Sequence, residues 1–168
     1  MTKRMFFVLF GLMMSCDDGD LQIETIDFDT IRTIESCAAV SATSTNVLFK
    51  INQDEALILE LPNGLLRNEP TTEALVSNVP ANSQITYRIF TDNVSKGYFC
   101  DLVPPLEPMV TEEITAEGGQ ILVTSAINAD TTAYEHTIRL SGITFLLADG
   151  SRITDLQINE FGTVTTAL

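Results

Sequence analysis

The chain reads as one all-β domain, a single antiparallel β-sandwich (immunoglobulin-like or related) of about seven to nine strands over residues 21–168. Three observations predict it. Apolar residues recur at every second position in short runs bounded by Asn, Asp, Gly or Pro. Convincing 3.6-residue periodicity over ten or more residues is absent. With residues 1–15 set aside as a signal segment, 153 of the 168 residues remain, which is one domain by size.

Taken in order, residues 21–34 suggest a strand with two phase slips, at Thr25 and between Phe28 and Ile31. Val47, Phe49 and Ile51 alternate with Leu48 and Lys50; after the turn Asn52-Gln53-Asp54-Glu55, Leu57, Leu59 and Leu61 alternate with Ile58 and Glu60. Residues 71–76 suit a turn of helix, with Pro70 at its first position. Ile85, Tyr87 and Ile89 form the next alternating set, and Ile121 and Val123 another. Pro104-Pro105-Leu106-Glu107-Pro108 breaks the ladder, because proline donates no hydrogen bond and fixes φ. It is expected to be an extended crossing between the two halves of the sandwich.

The C-terminal end carries a hairpin signal, Asp149-Gly150 between two β-rich runs. A two-residue turn there sets Ile143 opposite Leu156 and polar Ser141 opposite Ile158. Apolar parity also flips, from Ile138 and Leu140 to Ile143 and Phe145. One extra residue at Ser141-Gly142 cures both faults by placing Leu140 opposite Ile158, so a β-bulge is expected there.

The first sixteen residues point to a place rather than a chemistry. Lys3 and Arg4 precede an uncharged apolar run over residues 5–14. At about 1.5 Å per residue that run covers only half of a ~30 Å hydrocarbon slab, so it reads as the apolar region of a signal peptide, residues 1–15. Leu12-Met13-Met14-Ser15-Cys16 resembles a bacterial lipobox. The resemblance implies cleavage before Cys16, lipidation of its thiol and a mature protein held to a membrane by acyl chains, two of which suffice for stable anchoring. Asp17, Asp18 and Asp20 follow within residues 16–20, a short self-repelling tether. Such an acidic run also resembles the signal that sends some lipoproteins to the cell surface. That implies an outer-membrane protein, displayed at the surface more readily than on the periplasmic face.

The chain holds 9 basic and 23 acidic residues, a net charge of −14, and loss of Lys3 and Arg4 takes it to −16. A surface so negative repels phosphate backbones and anionic headgroups, which argues against nucleic-acid binding. With Cys16 assigned to lipid, Cys37 and Cys100 are an even pair in an oxidising compartment, and a disulfide is expected. Spacing alone also allows two buried free thiols.

Chemistry-bearing constellations are sparse. The chain contains one histidine, His136, which shares a strand face with Tyr134 and Ile138. A histidine on a half-apolar face is a structural residue more often than a general base, which needs an oriented partner. No Gly-x-Ser-x-Gly elbow, glycine-rich phosphate loop or four-ligand zinc set is present, so no catalytic, cofactor-binding or metal residue is assigned. Paired carboxylates such as Asp27/Asp29 and Glu112/Glu113 are what this acidity produces by itself. Asp29-Thr30-Ile31 and Asp130-Thr131-Thr132 resemble acceptor triplets of a bacterial O-glycosylation pathway, although ordinary turns have the same composition.

Five segments together are similar to a group of small exported bacterial lipoproteins of unknown function: Cys16-Asp17-Asp18-Gly19-Asp20, Glu55-Ala56-Leu57-Ile58-Leu59, Gly97-Tyr98-Phe99-Cys100 leading into Pro104-Pro105, residues 134–140 and Glu160-Phe161-Gly162. That group implies location and fold but no activity. Two function classes follow. The first is a membrane-anchored, non-catalytic interaction or structural module whose protein or glycan partner is unknown; the alternative is a carboxylate-dependent hydrolase acting on glycans.

Overall fold

The computed structural model describes Ile26, residues 28–154 and residues 160–168. The expectations placed on the signal peptide, on Cys16, on Asp17, Asp18 and Asp20, on Asp27, and on Leu156 and Ile158 lie outside the described residues. Within them the fold is all-β with one short helix: β1 (Asn46–Asn52), β2 (Glu55–Leu61), β3 (Leu75–Asn78), β4 (Gln84–Phe90), α1 (Lys96–Cys100), β5 (Val110–Ile127), β6 (Ala133–Leu146), β7 (Arg152–Thr154) and β8 (Glu160–Ala167). The eight strands make one continuous antiparallel sheet ordered β1-β2-β4-β5-β6-β7, with β3 also paired to β5 and β8 to β6.

That sheet curls into a half-barrel because β5 serves two neighbours in succession. Its first half pairs with β4 (Ile114 opposite Tyr87), and its second half pairs with β3 and β6 (Ile121 opposite Ser77 and Leu140). Between Ala116 and Gln120 the β5–β6 register slips twice. The core face of β5 changes there from Ile114 and Ala116 to Ile121, Val123 and Ser125, and the buried set of β6 flips likewise across Ser141-Gly142. The bulge expected at Ser141-Gly142 therefore exists, and it is followed along the pair by a second one at Glu117-Gly118 of β5. Bulges sharpen local twist, which is what a strand needs to turn a sheet back on itself. Gly119, at φ +117°, is obligatory: a Cβ would lie 2.6 Å from Ile143 Cδ1 and 2.9 Å from the Gly142 carbonyl oxygen.

Both arms of the curled sheet face one core. Leu57, Leu59, Ile85 and Tyr87 from one arm meet Ile121, Val123, Ile138, Leu140 and Phe145 from the other. The Tyr87 and Phe145 ring centroids are 6.3 Å apart. Opposite this core, the outer face of β1, β2 and β4 carries a smaller cluster of Ala56, Phe90 and Val94, against which Ile51, Tyr98 and Phe99 pack. With both faces covered, β2 reads as the near-continuous apolar run Ala56-Leu57-Ile58-Leu59, where a one-sided strand would alternate.

Four expectations are corrected. In the described part of residues 21–34 there is no strand: Ile31 N–H donates to Phe28 O in a turn, and only Glu35 bridges to Phe49. The phase slip between Phe28 and Ile31 is that turn, and Ile26 and Phe28 enter the core as single plugs. Residues 71–76 form no helix, because Thr71 is held against β5: its N–H donates to Ser125 O, and its Oγ1 accepts from Ser125 N–H. The proline segment does not cross between the arms. It links α1 to β5 beside β4, and β5 itself makes the passage. Finally, the C-terminal hairpin is one residue out of the expected register, with Phe145 opposite Ile153. Three residues, 148–150, fill the loop between the bonded pair Leu147 and Ser151. Gly150 takes φ +85°, and Asp149 Oδ1 accepts from both Ser151 N–H and Oγ, so a three-residue turn with a left-handed glycine replaces the two-residue one.

Candidate functional site

Two features stand apart from ordinary packing: a chain of buried polar side chains, and a loop of exposed apolar ones.

The polar chain is centred on His136, which is fully buried on the core face of β6, the face that strand parity assigns it. Ser125 Oγ of β5 lies 2.7 Å from His136 Nδ1, and Thr166 Oγ1 of β8 lies 2.9 Å from Nε2. The directions follow from the far end. Asn68 Nδ2 donates to Ala167 O at 2.8 Å, which turns Asn68 Oδ1 toward Thr166. The Thr166 hydroxyl spends its single proton on that oxygen at 2.6 Å. It can only accept from His136, so Nε2 carries the imidazole proton, and the bare Nδ1 accepts from Ser125. Burial lowers the His136 pKa from its usual value of 6.5 and keeps the ring neutral. A serine hydroxyl pointed at a neutral imidazole is the pairing that activates nucleophiles. Here, however, Ser125 is 3% exposed and His136 0%, so no substrate carbonyl reaches the oxygen. The chain acts as a polar staple across β5, β6, β8 and the 68–71 loop.

Several carboxylates are engaged in structure. Glu112 and Glu113 are successive on β5 and point to opposite faces, and Glu113 pairs with Arg88. Glu55 accepts from the Tyr87 hydroxyl at 2.5 Å, Glu35 pairs with Lys96 at 3.0 Å, and Glu69 with Arg67 at 3.3 Å. Among the described residues no three His, Cys, Asp or Glu side chains gather in a way that could hold a metal ion. The two acceptor-like triplets lie in turns. Thr30 and Thr131 are exposed, and Asn128 Oδ1 accepts from the N–H groups of Thr132 and Ala133 to close the second turn.

The apolar feature is the loop over residues 101–109. Leu102 is fully exposed, Leu106 94%, Val103 83% and Met109 55%. The loop is nonetheless held at both ends. On one side Cys37 and Cys100 sit at disulfide geometry, with sulfurs 2.03 Å and Cα atoms 5.1 Å apart, and Asp101 N–H donates to Gly97 O. α1, which carries Cys100, is seated by aromatic contacts: Phe49 with Phe99 at 4.4 Å, and Phe90 with Tyr98 at 5.0 Å. On the other side Thr91 N–H donates to Met109 O, Met109 N–H donates to Thr91 Oγ1, and that hydroxyl reaches Glu107 Oε2 at 3.5 Å. At the C-terminal end of the loop lies an open depression of about 680 Å³, lined by Thr91, Asp92, Asn93, Glu107 and Pro108.

Sequence reasoning located the prolines but missed that their apolar neighbours face water. The signal was present: Leu102, Val103, Leu106 and Met109 sit among three prolines, so no ladder can turn them toward a core. The partners of His136 lie 11 and 30 residues away, and no local pattern names them. No helix among the described residues is long and apolar enough to cross a membrane. No protein-family model matches the chain, and no curated protein or solved structure matches it either.

Proposed function

We propose that this protein is a non-catalytic interaction or structural module of the bacterial cell envelope, lipid-anchored through Cys16 to the outer membrane. Its scaffold is an immunoglobulin-like or related sandwich formed by the two arms of the curled sheet. Asp17, Asp18 and Asp20 are the address that carries it to the cell surface. The observation that supports this reading is the loop 101–109: four large apolar side chains stand in water on a backbone pinned at both ends. Holding apolar surface in that position costs free energy unless something covers it, and such patches mark interaction sites. The glycan-hydrolase alternative is less favoured, since Glu35, Glu69 and Glu113 serve as ion-pair partners, Glu55 as a hydroxyl acceptor and Asp149 as a turn partner.

The test is chemical cross-linking in intact cells of the native protein, of Cys16→Ala and of a Leu102→Ser/Leu106→Ser variant. The native protein should incorporate acyl lipid, be cut by external protease and give a discrete cross-linked species. Cys16→Ala should lose the lipid and the membrane location. The loop variant should keep both and lose the cross-link. Absence of any cross-link from the native protein would sink the interaction reading, and lipid labelling of Cys16→Ala would sink the anchor.

A further inference from the structure

We infer that the loop 101–109 is a docking finger for a protein partner bearing an apolar, aromatic-lined groove with a Lys or Arg at its rim. This rests on the interaction reading above and adds the kind of partner. Three features of the loop select that partner.

The first is shape. Val103, Pro104 and Pro105 are held near extended or polyproline backbone, because proline fixes its own φ and bars the helical region to the residue before it. Such a segment is pre-ordered, and the recurring receptor for it is an aromatic-lined groove. The second is payload. Leu102, Val103 and Leu106 project from that segment with almost no cover from their own chain, so their full apolar surface is available to bury. Both loop ends are already tied, by Cys37–Cys100 at one and Thr91–Met109 at the other, which lowers the ordering cost of binding.

The third feature is charge, which separates the candidate occupants. Asp101 and Glu107 bracket Leu102, Val103 and Leu106, and Asp92, Asn93 and Glu107 line the depression at the C-terminal end of the loop. The chain as a whole carries −14. An anionic membrane surface and a second copy of this chain would both be repelled from that flank. A protein with a cationic rim would be drawn to it: its Lys or Arg enters the depression while its groove takes Leu102, Val103 and Leu106.

The experiment places a photo-cross-linking amino acid at position 103 or 106 of the full chain in intact cells and identifies the adduct peptide by mass spectrometry. The expected adduct is a protein peptide containing Trp, Tyr or Phe with Lys or Arg close by. Its yield should fall about fivefold in Pro104→Ala/Pro105→Ala, the loss expected from about 1 kcal/mol of lost preorganisation. It should also fall severalfold in Asp92→Asn/Glu107→Gln and become less salt-sensitive. All of these substitutions are in exposed positions, so unchanged melting temperatures show that the scaffold is intact. An adduct to lipid, to a second copy of the chain, or to a groove without aromatic and basic residues overturns the inference while leaving the interaction reading standing. So does a yield that neither double variant changes. No adduct from either position overturns both.

Discussion

Between β5, β6 and β8 the protein buries three polar side chains, Ser125, His136 and Thr166, whereas at residues 101–109 it leaves four large apolar ones in water. Each region reverses the usual partition of residues. They differ in whether the reversal is repaired within the chain. In the buried region it is: Ser125 donates to Nδ1, Nε2–H donates to Thr166, Thr166 donates to Asn68, and Asn68 closes on Ala167 O at the surface. A fully paired network of this kind holds three strands in one register. At the loop the chain supplies backbone restraint but no cover for the side chains. The free energy released by burying them remains available to a partner, which is the ground for proposing that the exposed region serves interaction while the buried one serves the fold.

The comparison breaks most visibly at the disulfide. Joining Cys37 to Cys100 closes a loop of 64 residues, which by the chain-entropy estimate contributes about 4 kcal/mol. The Cys37→Ser/Cys100→Ser variant should lose stability on that order in urea unfolding, and native protein under reductant should match it. A loss below about 1 kcal/mol would mean that the aromatic seat of α1 holds the loop base unaided.

His136→Leu tests the buried side. The leucine fills the space but strips the Ser125 hydroxyl of its acceptor, at about 1–3 kcal/mol, while Thr166 loses the His136 donor and keeps its bond to Asn68. With part of this offset by the apolar gain, a net loss of about 1–2 kcal/mol is expected, and a change within about 0.5 kcal/mol would show that the network stabilises nothing. The same residue sets a pH dependence. Its folded pKa lies below 6.5, so below that pH the unfolded chain binds a proton that the folded chain resists. The His136 contribution is therefore intact above pH 6.5 and is lost as pH falls toward the folded pKa. The stability difference between native and His136→Leu should shrink on acidification, and a difference that grew would reverse the assigned sign.

How far the sequence discloses these regions follows from the range of the interactions. The hairpin β1–β2 and the core strand β4 are legible because alternation and turn residues act locally, as Val47, Phe49 and Ile51 across from Ala56, Ile58 and Glu60 illustrate. The Ser141-Gly142 bulge is legible from parity alone. The hairpin register is not, because choosing three loop residues over two depends on Asp149 bonding twice to Ser151. β3 and β8 are invisible locally, since Ser77 sits opposite Ile121 of β5 and Thr166 is bonded to His136 of β6, contacts made far along the chain. Lys50 shows the same limit. Alternation marks it as a solvent-facing residue, yet it is 3% exposed, bonded to Phe28 O at 3.3 Å and lying 5.3 Å over the Phe161 ring. Of the candidate site, the prolines and the lack of a ladder around their apolar neighbours were legible, and the pinning of both loop ends was not, because it depends on where α1 and β4 place Cys100 and Thr91.

The smallest expected effect is the most discriminating. Leu102→Ser/Leu106→Ser removes two large apolar side chains from water and touches no core residue. Exposed substitutions away from caps, networks and special backbone fall within about 0.5 kcal/mol of native, so urea unfolding should register almost nothing. If the loop were an under-packed edge of the domain, these leucines would make apolar contacts in solution, and their loss would cost about 1 kcal/mol or more. Urea midpoints of native and variant protein, read beside the cross-linking yields, separate the two cases. Unchanged stability with a lost cross-link means that the side chains face a partner and nothing else. A stability loss on the scale of a buried leucine would place them in the protein's own packing and remove the contrast with the His136 network.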